Sequence, residues 1–294
     1  MGSRIVAVGV AGRPTRTTSS VTLEVHAAKA CLRRAAVGAD DVGLLVNTGV
    51  YRDGNTVEPA IASFIQRRLG ANVNLNGTPG TFSFDLNNGA CGAVTGLMLV
   101  DGFLHSGVTR YGLVVAGDAE PVIGRSEGFE YAPSASAFLL AAGAGDDGFV
   151  AFYSSADTDR IDSCGGRVVW PPEDGGGNRM RITVSETFAE ECLSAALDAL
   201  HEFLEETALT LADVDLLVPS QTPPGLVSGL RQATGLGDAV IDVTGQYGNV
   251  HTAGVGMAFD RALHERRVAP GGCVLFLTVG AGIATSLALY RVPR

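Results

Sequence analysis

Short hydrophobic runs alternate along this chain with stretches whose apolar positions recur at helical spacing. Residues 4–9 (RIVAVG), 43–48 (GLLVNT), 111–117 (YGLVVAG) and 136–141 (SAFLLA) are bounded by turn residues and read as buried strands. Residues 22–37, 57–69 and 92–106 read as helices. Strands and helices in alternation predict a largely parallel or mixed sheet covered by helices.

The plan then repeats. Residues 147–155 (DGFVAFYSS) predict a strand, and 186–206 predict a long helix with Ser185 as its N-cap. LADVDLLVPS (211–220) parallels GADDVGLLVNT (38–48): each has an acidic turn, then Leu-Leu-Val closing a strand. GGCVLFLTVGAG (271–282) answers RYGLVVAGDAE (110–120), and ATSLALYR (284–291) answers SASAFLLAA (134–142). The ordered set predicts an α/β chain of two similar halves, residues 1–146 and 147–294, packed as one pseudo-symmetric layered unit. Residues 157–182 interrupt the second half. They are rich in Gly, Pro and charge and hold Trp170. Their length points to a functional loop or cover rather than a connector.

Composition narrows the function. The 294 residues carry 21 Lys and Arg against 31 Asp and Glu, a formal charge of −10, which argues against a nucleic-acid partner and against anionic membranes. No apolar run reaches the length of a membrane span, and the start (MGSRIVAVGV) has no signal-peptide pattern, so the expected location is the cytoplasm. Cys31, Cys91, Cys164, Cys192 and Cys273 show no zinc-ligand spacing and are expected to be free thiols. Cys31 and Cys192 fall in helices and Cys273 in a strand, where they read as core residues, and Cys164 reads as incidental to its loop.

Cys91 stands apart. In TFSFDLNNGACGAVTGL (81–97) a strand runs into a small-residue turn, then Cys91, then a helix. A helix N-terminus favours a thiolate, and its free N–H groups suit the oxyanion of a thioester under attack. By position alone, a buried inert cysteine at a tight turn fits as well.

FDLNNGACGAVTGLMLVDGFLHSG followed by RYGLVVAGD resembles the nucleophile region of the thiolase superfamily, most closely its β-ketoacyl-ACP synthase III branch. The resemblance continues through YAPSASAFLLAAG, DLLVPSQTPPGL, QYGNVHTAGVGMAFDRAL and VGAGIATSLALYR. It implies the two-halved thiolase-like fold and an acyltransferase that forms an acyl-Cys91 thioester and passes the acyl group to a second substrate. It also implies an acyl-carrier-protein or acyl-CoA donor, a homodimer, and no metal or tightly held organic cofactor. Cys91 matches the nucleophile and Asn249 the active-site asparagine, while the backbone N–H groups of Cys91 and Gly282 match the oxyanion donors.

Ser220 stands where the family has a histidine. Serine donates one hydrogen bond but carries no proton at neutral pH, and losing such a donor typically costs ~3 kcal/mol. The departure favours non-decarboxylative transfer or an altered Claisen condensation in fatty-acid, polyketide or other specialised metabolism. The alternative is a catalytically reduced partner subunit of a heterodimeric ketosynthase. His251, two residues past Asn249, is a candidate to replace the missing histidine or else a capping residue. Arg13 and Arg16 in the short connector 12–20 are candidate phosphate contacts, and Arg231, Arg266 and Arg267 a candidate carrier patch. Arg52 with Asp53 reads as a surface ion pair, and Asp118 with Glu120 as carboxylates lacking an evident partner.

Overall fold

In the computed structural model, which describes residues 2–12, 19–73, 80–143, 147–170 and 178–294, each hydrophobic run forms a strand within a residue or two of its expected ends. The first half contains β1 (Ser3–Ala11), α1 (Ser20–Ala35), β2 (Val42–Asn47), α2 (Ile61–Leu69), β3 (Phe82–Asp85), α3 (Gly92–His105), β4 (Tyr111–Asp118) and β5 (Ser134–Ala142). The second contains β6 (Gly148–Ala156), β7 (Cys164–Val169), β8 (Arg179–Val184), α4 (Phe188–Glu206), β9 (Leu216–Pro219), α5 (Leu226–Thr234), α6 (Thr244–Tyr247), α7 (Gly254–His264), β10 (Cys273–Gly280) and β11 (Ala284–Arg291).

The two main sheets have the same plan. The first runs β1-β5-β4-β2-β3 and the second β6-β11-β10-β9. In each, a central parallel pair (β2 with β4, β9 with β10) continues into antiparallel neighbours. Where β3 extends the first sheet in parallel, the second has a single parallel bridge, Leu217 to Val240. The duplication read from the order of the elements is therefore present in four strands of each sheet, β1-β5-β4-β2 matching β6-β11-β10-β9.

Helices separate these sheets into layers. Leu23, Ala27 and Cys31 of α1 and Ile61 and Ile65 of α2 pack on Leu45, Leu113, Val115 and Leu139 of the first sheet. Cys192, Ala196 and Phe203 of α4 with Val227 and Leu230 of α5 cover Leu217, Leu275 and Leu277 of the second. Between the sheets lie Val94, Leu97 and Val100 of α3 and Val255, Met257 and Phe259 of α7, in one cluster with Val46 and Val218 from the two sheets. Each fully buried Leu or Phe contributes roughly 1.5–3 kcal/mol of transfer free energy. The layered core thus binds the halves to each other as firmly as each is bound within itself.

Two local readings need correction. Helix α4 starts at Phe188 with Thr187 in the cap position, and the Ser185 hydroxyl pairs with Thr187 Oγ1 at 3.2 Å instead of capping. Residues 157–182 contain a two-stranded hairpin, β7 with β8, beyond a short helical turn. Arg13 and Arg16 lie outside the described residues. Among the described residues, no helix is long and apolar enough to cross a membrane.

The α1–β1 contact allows a test of the packing. A Cβ added at Gly9 would lie 2.2 Å from the Ala27 carbonyl oxygen and 2.4 Å from the Cys31 nitrogen. Both obstacles are helix backbone, which cannot yield as a flexible side chain does. Gly9→Ala should destabilise the fold by about 3 kcal/mol or prevent it from folding, measured by thermal unfolding.

Candidate active site

The elbow before α3 is built as the sequence predicts. Strand β3 ends at Asp85, a single helical turn spans Gly89–Cys91, and Cys91 occupies the N-cap position of α3. Asp85 also tethers the start of α2: its carboxylate accepts the N–H groups of Ile61 and Ala62, each at 2.8 Å, and pairs with Arg52 at 3.2 Å. Arg52 and Asp53 are therefore not partners. Asp53 instead accepts hydrogen bonds from Ser19 and Ser20 at the head of α1.

Cys91 itself differs from expectation. Its side chain is fully buried, and the thiol donates to the Ala284 carbonyl at 3.2 Å, facing the β10–β11 side of the core. Burial pushes the thiol up to about 12, against hydrogen bonds from Thr278 and Ser286 that act the other way. The pull of a helix N-terminus does not overcome this desolvation. Where the sequence predicts a thiolate favoured by the helix N-terminus, the structure has a covered thiol whose burial acts in the opposite direction.

A cavity opens beside the elbow, lined by Asn87, Gly89 and Ala90. It has a volume of about 260 Å³, and Ala90, not Cys91, is on its wall. Facing Ala90 across the cleft floor are Gly280 and Ala281 at the end of β10. The approach is close: a Cβ added at Gly280 would lie 3.0 Å from the Ala90 Cβ. Tyr51 and Tyr131 form another wall, and Cys164, Gly165 and Met180 of the β7–β8 hairpin cover it. The interrupting segment therefore reaches the cavity, and Cys164 is a wall residue rather than an incidental one.

His251 also lines this cavity. Its Nδ1 is 2.9 Å from Asp118 Oδ2. That oxygen also accepts the Thr252 N–H at 3.1 Å and the Thr252 hydroxyl at 2.6 Å, while Oδ1 accepts the N–H groups of Val50 and Tyr51 at 2.9 and 2.7 Å. Burial raises the Asp118 carboxyl, but the charge and hydrogen bond of His251, with the other donors, outweigh it and hold the group below the usual carboxylate value. A carboxylate at Nδ1 requires the proton there, which leaves the Nε2 lone pair as the acceptor. The Tyr131 and Tyr51 rings flank the imidazole at centroid distances of 4.5 and 5.3 Å and fix its plane. Glu24 lies behind the pair, fully buried, and burial with the nearby Asp118 charge raises it well above the ordinary value. Asp118 reads in the sequence as a carboxylate without an evident partner because His251 is 133 positions away.

With this geometry, comparison with known proteins is informative. A family profile described as 3-oxoacyl-[acyl-carrier-protein] synthase III, C terminal, matches residues 204–292. The β-ketoacyl-[acyl-carrier-protein] synthase III of Thiobacillus denitrificans is 29% identical over 275 residues, covering 92% of this chain and 83% of that protein. The corresponding protein of Erythrobacter litoralis is 27% identical over 92% of this chain and 83% of its own. Over nearly its whole length the chain is similar to β-ketoacyl-ACP synthase III.

Solved structures agree on the fold. The 3-oxoacyl-[acyl-carrier-protein] synthase III of Aquifex aeolicus superposes with a TM-score of 0.84 at 17% identity, covering 99% of this chain and all of that one. The priming β-ketosynthase of the R1128 polyketide pathway gives 0.84 at 21% identity, covering 99% of this chain and 96% of that one. OleA from Xanthomonas campestris, solved with bound lauric acid and lauroyl-CoA, gives 0.83 at 18% identity and covers 99% of each chain.

In this synthase III-like chain the remaining expected site residues are dispersed. Ser220 is buried and does not line the cavity; its hydroxyl accepts the Val279 N–H at 3.1 Å and donates to the Val279 carbonyl at 3.4 Å. It prolongs the β9–β10 pairing by one residue and has no donor left for a substrate, a correction to its expected role. Asn249 is also off the cavity wall. Its carbonyl accepts the Ala132 N–H at 2.7 Å, and its buried Oδ1 has no partner among the described residues. Gly282, with φ +128°, turns the chain between β10 and β11, and the wall residues of that turn are Gly280 and Ala281. Gly282, the expected oxyanion donor, is thus not on the cavity wall. Arg231 donates to the carbonyls of Gly237 and Val240, each at 3.0 Å, and Arg267 to Asp238, so this cluster braces its own loop instead of offering a free basic patch.

Proposed function

We propose that this chain is an acyl-transferring enzyme that draws an acyl group from a thioester donor into the cavity beneath Tyr51 and Tyr131 and delivers it to a second substrate. The observation that carries the reading is His251, held by Asp118 from behind, on the wall of a cavity in a synthase III-like fold. His251 Nε2 takes the proton of the accepting group, Asp118 holds the imidazole and stabilises its charged form, and the Ala281 N–H faces the developing oxyanion. The donor is an acyl-carrier protein or acyl-CoA, in line with the acyl-carrier-protein synthase and lauroyl-CoA-bound relatives. The working unit is a cytoplasmic homodimer in fatty-acid, polyketide or other specialised metabolism. Its halves, residues 1–146 and 147–294, supply Asp118 and His251 respectively.

The experiment is release of free thiol from acetyl-, hexanoyl- and benzoyl-CoA and from the matching acyl-carrier proteins, with ethanolamine or malonyl-CoA as acceptor. Enzyme-dependent thiol release with formation of acylated acceptor is the expected result. A second reading, a partner subunit shaping the site of an active relative, is favoured by the sealed Cys91 thiol and the consumed Ser220 hydroxyl. Absence of turnover with every donor, together with stable association with a co-expressed homologous subunit, would establish that reading instead.

A further inference from the structure

We infer that this cavity selects a compact aryl acyl group, of the benzoyl class, over a saturated chain, and that Tyr131 sets the choice. The inference rests on the acyl-transfer reading above and names the group that is transferred. The described wall includes the rings of Tyr51, Tyr131, Phe188 and His251. Tyr51 and Tyr131 stack on each other, with centroids 5.3 Å apart and planes 26° apart. Phe129 meets both of them edge-on, at 5.1 and 5.4 Å with planes at 83° and 89°. Turning either tyrosine would break one of these contacts. The pair therefore offers a fixed aromatic surface rather than one that remodels around its ligand.

Size points to a single ring. An apolar cavity of roughly 150 Å³ holds one benzene molecule, and at that density a twelve-carbon chain needs about 300 Å³. The volume here, about 260 Å³, takes a ring with its thioester group. The lauroyl group carried by the structural relative OleA would not fit. The β7–β8 hairpin limits the space further. A Cβ added at Gly166 would stand 3.5 Å from Tyr51 Cε1 and 3.7 Å from Met180 Sδ, so hairpin and tyrosine leave room for a single carbon between them. A six-carbon saturated chain fits by volume, and there the rings decide. An aryl group gains ring contacts with Tyr51 and Tyr131, and being rigid it has no chain torsions to freeze.

The test is kcat/KM for thiol release from benzoyl-, hexanoyl- and lauroyl-CoA by the full chain. Alongside it, calorimetry measures binding of the unreactive thioethers benzyl-, hexyl- and dodecyl-CoA. Benzoyl should exceed hexanoyl by about 3–10-fold and lauroyl by about 100-fold. Tyr131→Leu should bring the benzoyl-to-hexanoyl ratio to about one, while Tyr131→Phe, which keeps the ring, should retain it. Tyr131 also flanks His251, so both variants lower every rate; the ratio is unaffected by such a general loss. A parent enzyme that prefers hexanoyl or lauroyl, or a folded Tyr131→Leu variant with an unchanged ratio, overturns the inference and leaves acyl transfer intact. With no turnover of any donor the acyl-transfer reading fails, and the thioethers judge the cavity by itself. Tightest binding of benzyl-CoA then retains the aryl site, and tightest binding of hexyl- or dodecyl-CoA overturns it.

Discussion

Replacing His251 with alanine should lower kcat for acyl transfer by about 10²–10⁴-fold, while the fold and the affinity for the thioester donor change little. The imidazole is the one ionisable group of its kind on the cavity wall among the described residues, and its Nε2 is the atom that the Asp118 contact leaves free. The measurement is steady-state thiol release across pH 5–9, with thermal unfolding as a control. A His251→Ala enzyme within fivefold of the parent would remove the residue from the chemistry.

Asp118→Asn should have the larger effect on the molecule as a whole. The carboxylate accepts five hydrogen bonds, from His251 Nδ1, both donors of Thr252, and the backbone of Val50 and Tyr51. Whichever way an amide is turned, its NH₂ would face at least two of those donors. Breaking a buried charge pair of this kind typically costs about 3–5 kcal/mol, corresponding to a fall in Tm on the order of 10 °C. Activity should fall too, because an amide no longer holds the proton on Nδ1 and Nε2 loses its defined lone pair. The pH dependence has a definite sign. The Asp118 carboxyl is held below its unfolded value of about 3.9, so its contribution to stability is complete above that pH. The contribution is lost as pH falls through the lower folded value. Between pH 6 and 8 it should be flat, and the Asn variant should show a weaker acid dependence in urea titrations read by circular dichroism.

The fold was legible because its signals are local and repeated. Runs such as GLLVNT and LLVPS are apolar over their whole length, as strands buried on both faces must be, and their order alone implied two matching sheets. At the site, the same reading located the elbow. Ala90 lines the cavity and its neighbour Cys91 is covered, a distinction that no hydrophobic period resolves within a single turn of helix between a strand and α3. Ser220 looked like a donor because a hydroxyl can donate; in the fold it is saturated by Val279. His251 was recognisable from its place beside Asn249, whereas Asp118 became meaningful only when the end of β4 was brought against the start of α7.

That last contact spans the two halves. One member of the pair sits at the end of a strand in the first sheet, the other on the chain entering a helix of the second half. Neither half carries both, and the equivalent position at the end of β10 is Gly280. The pair therefore forms only while the two halves are packed together, and either half expressed by itself would lack it.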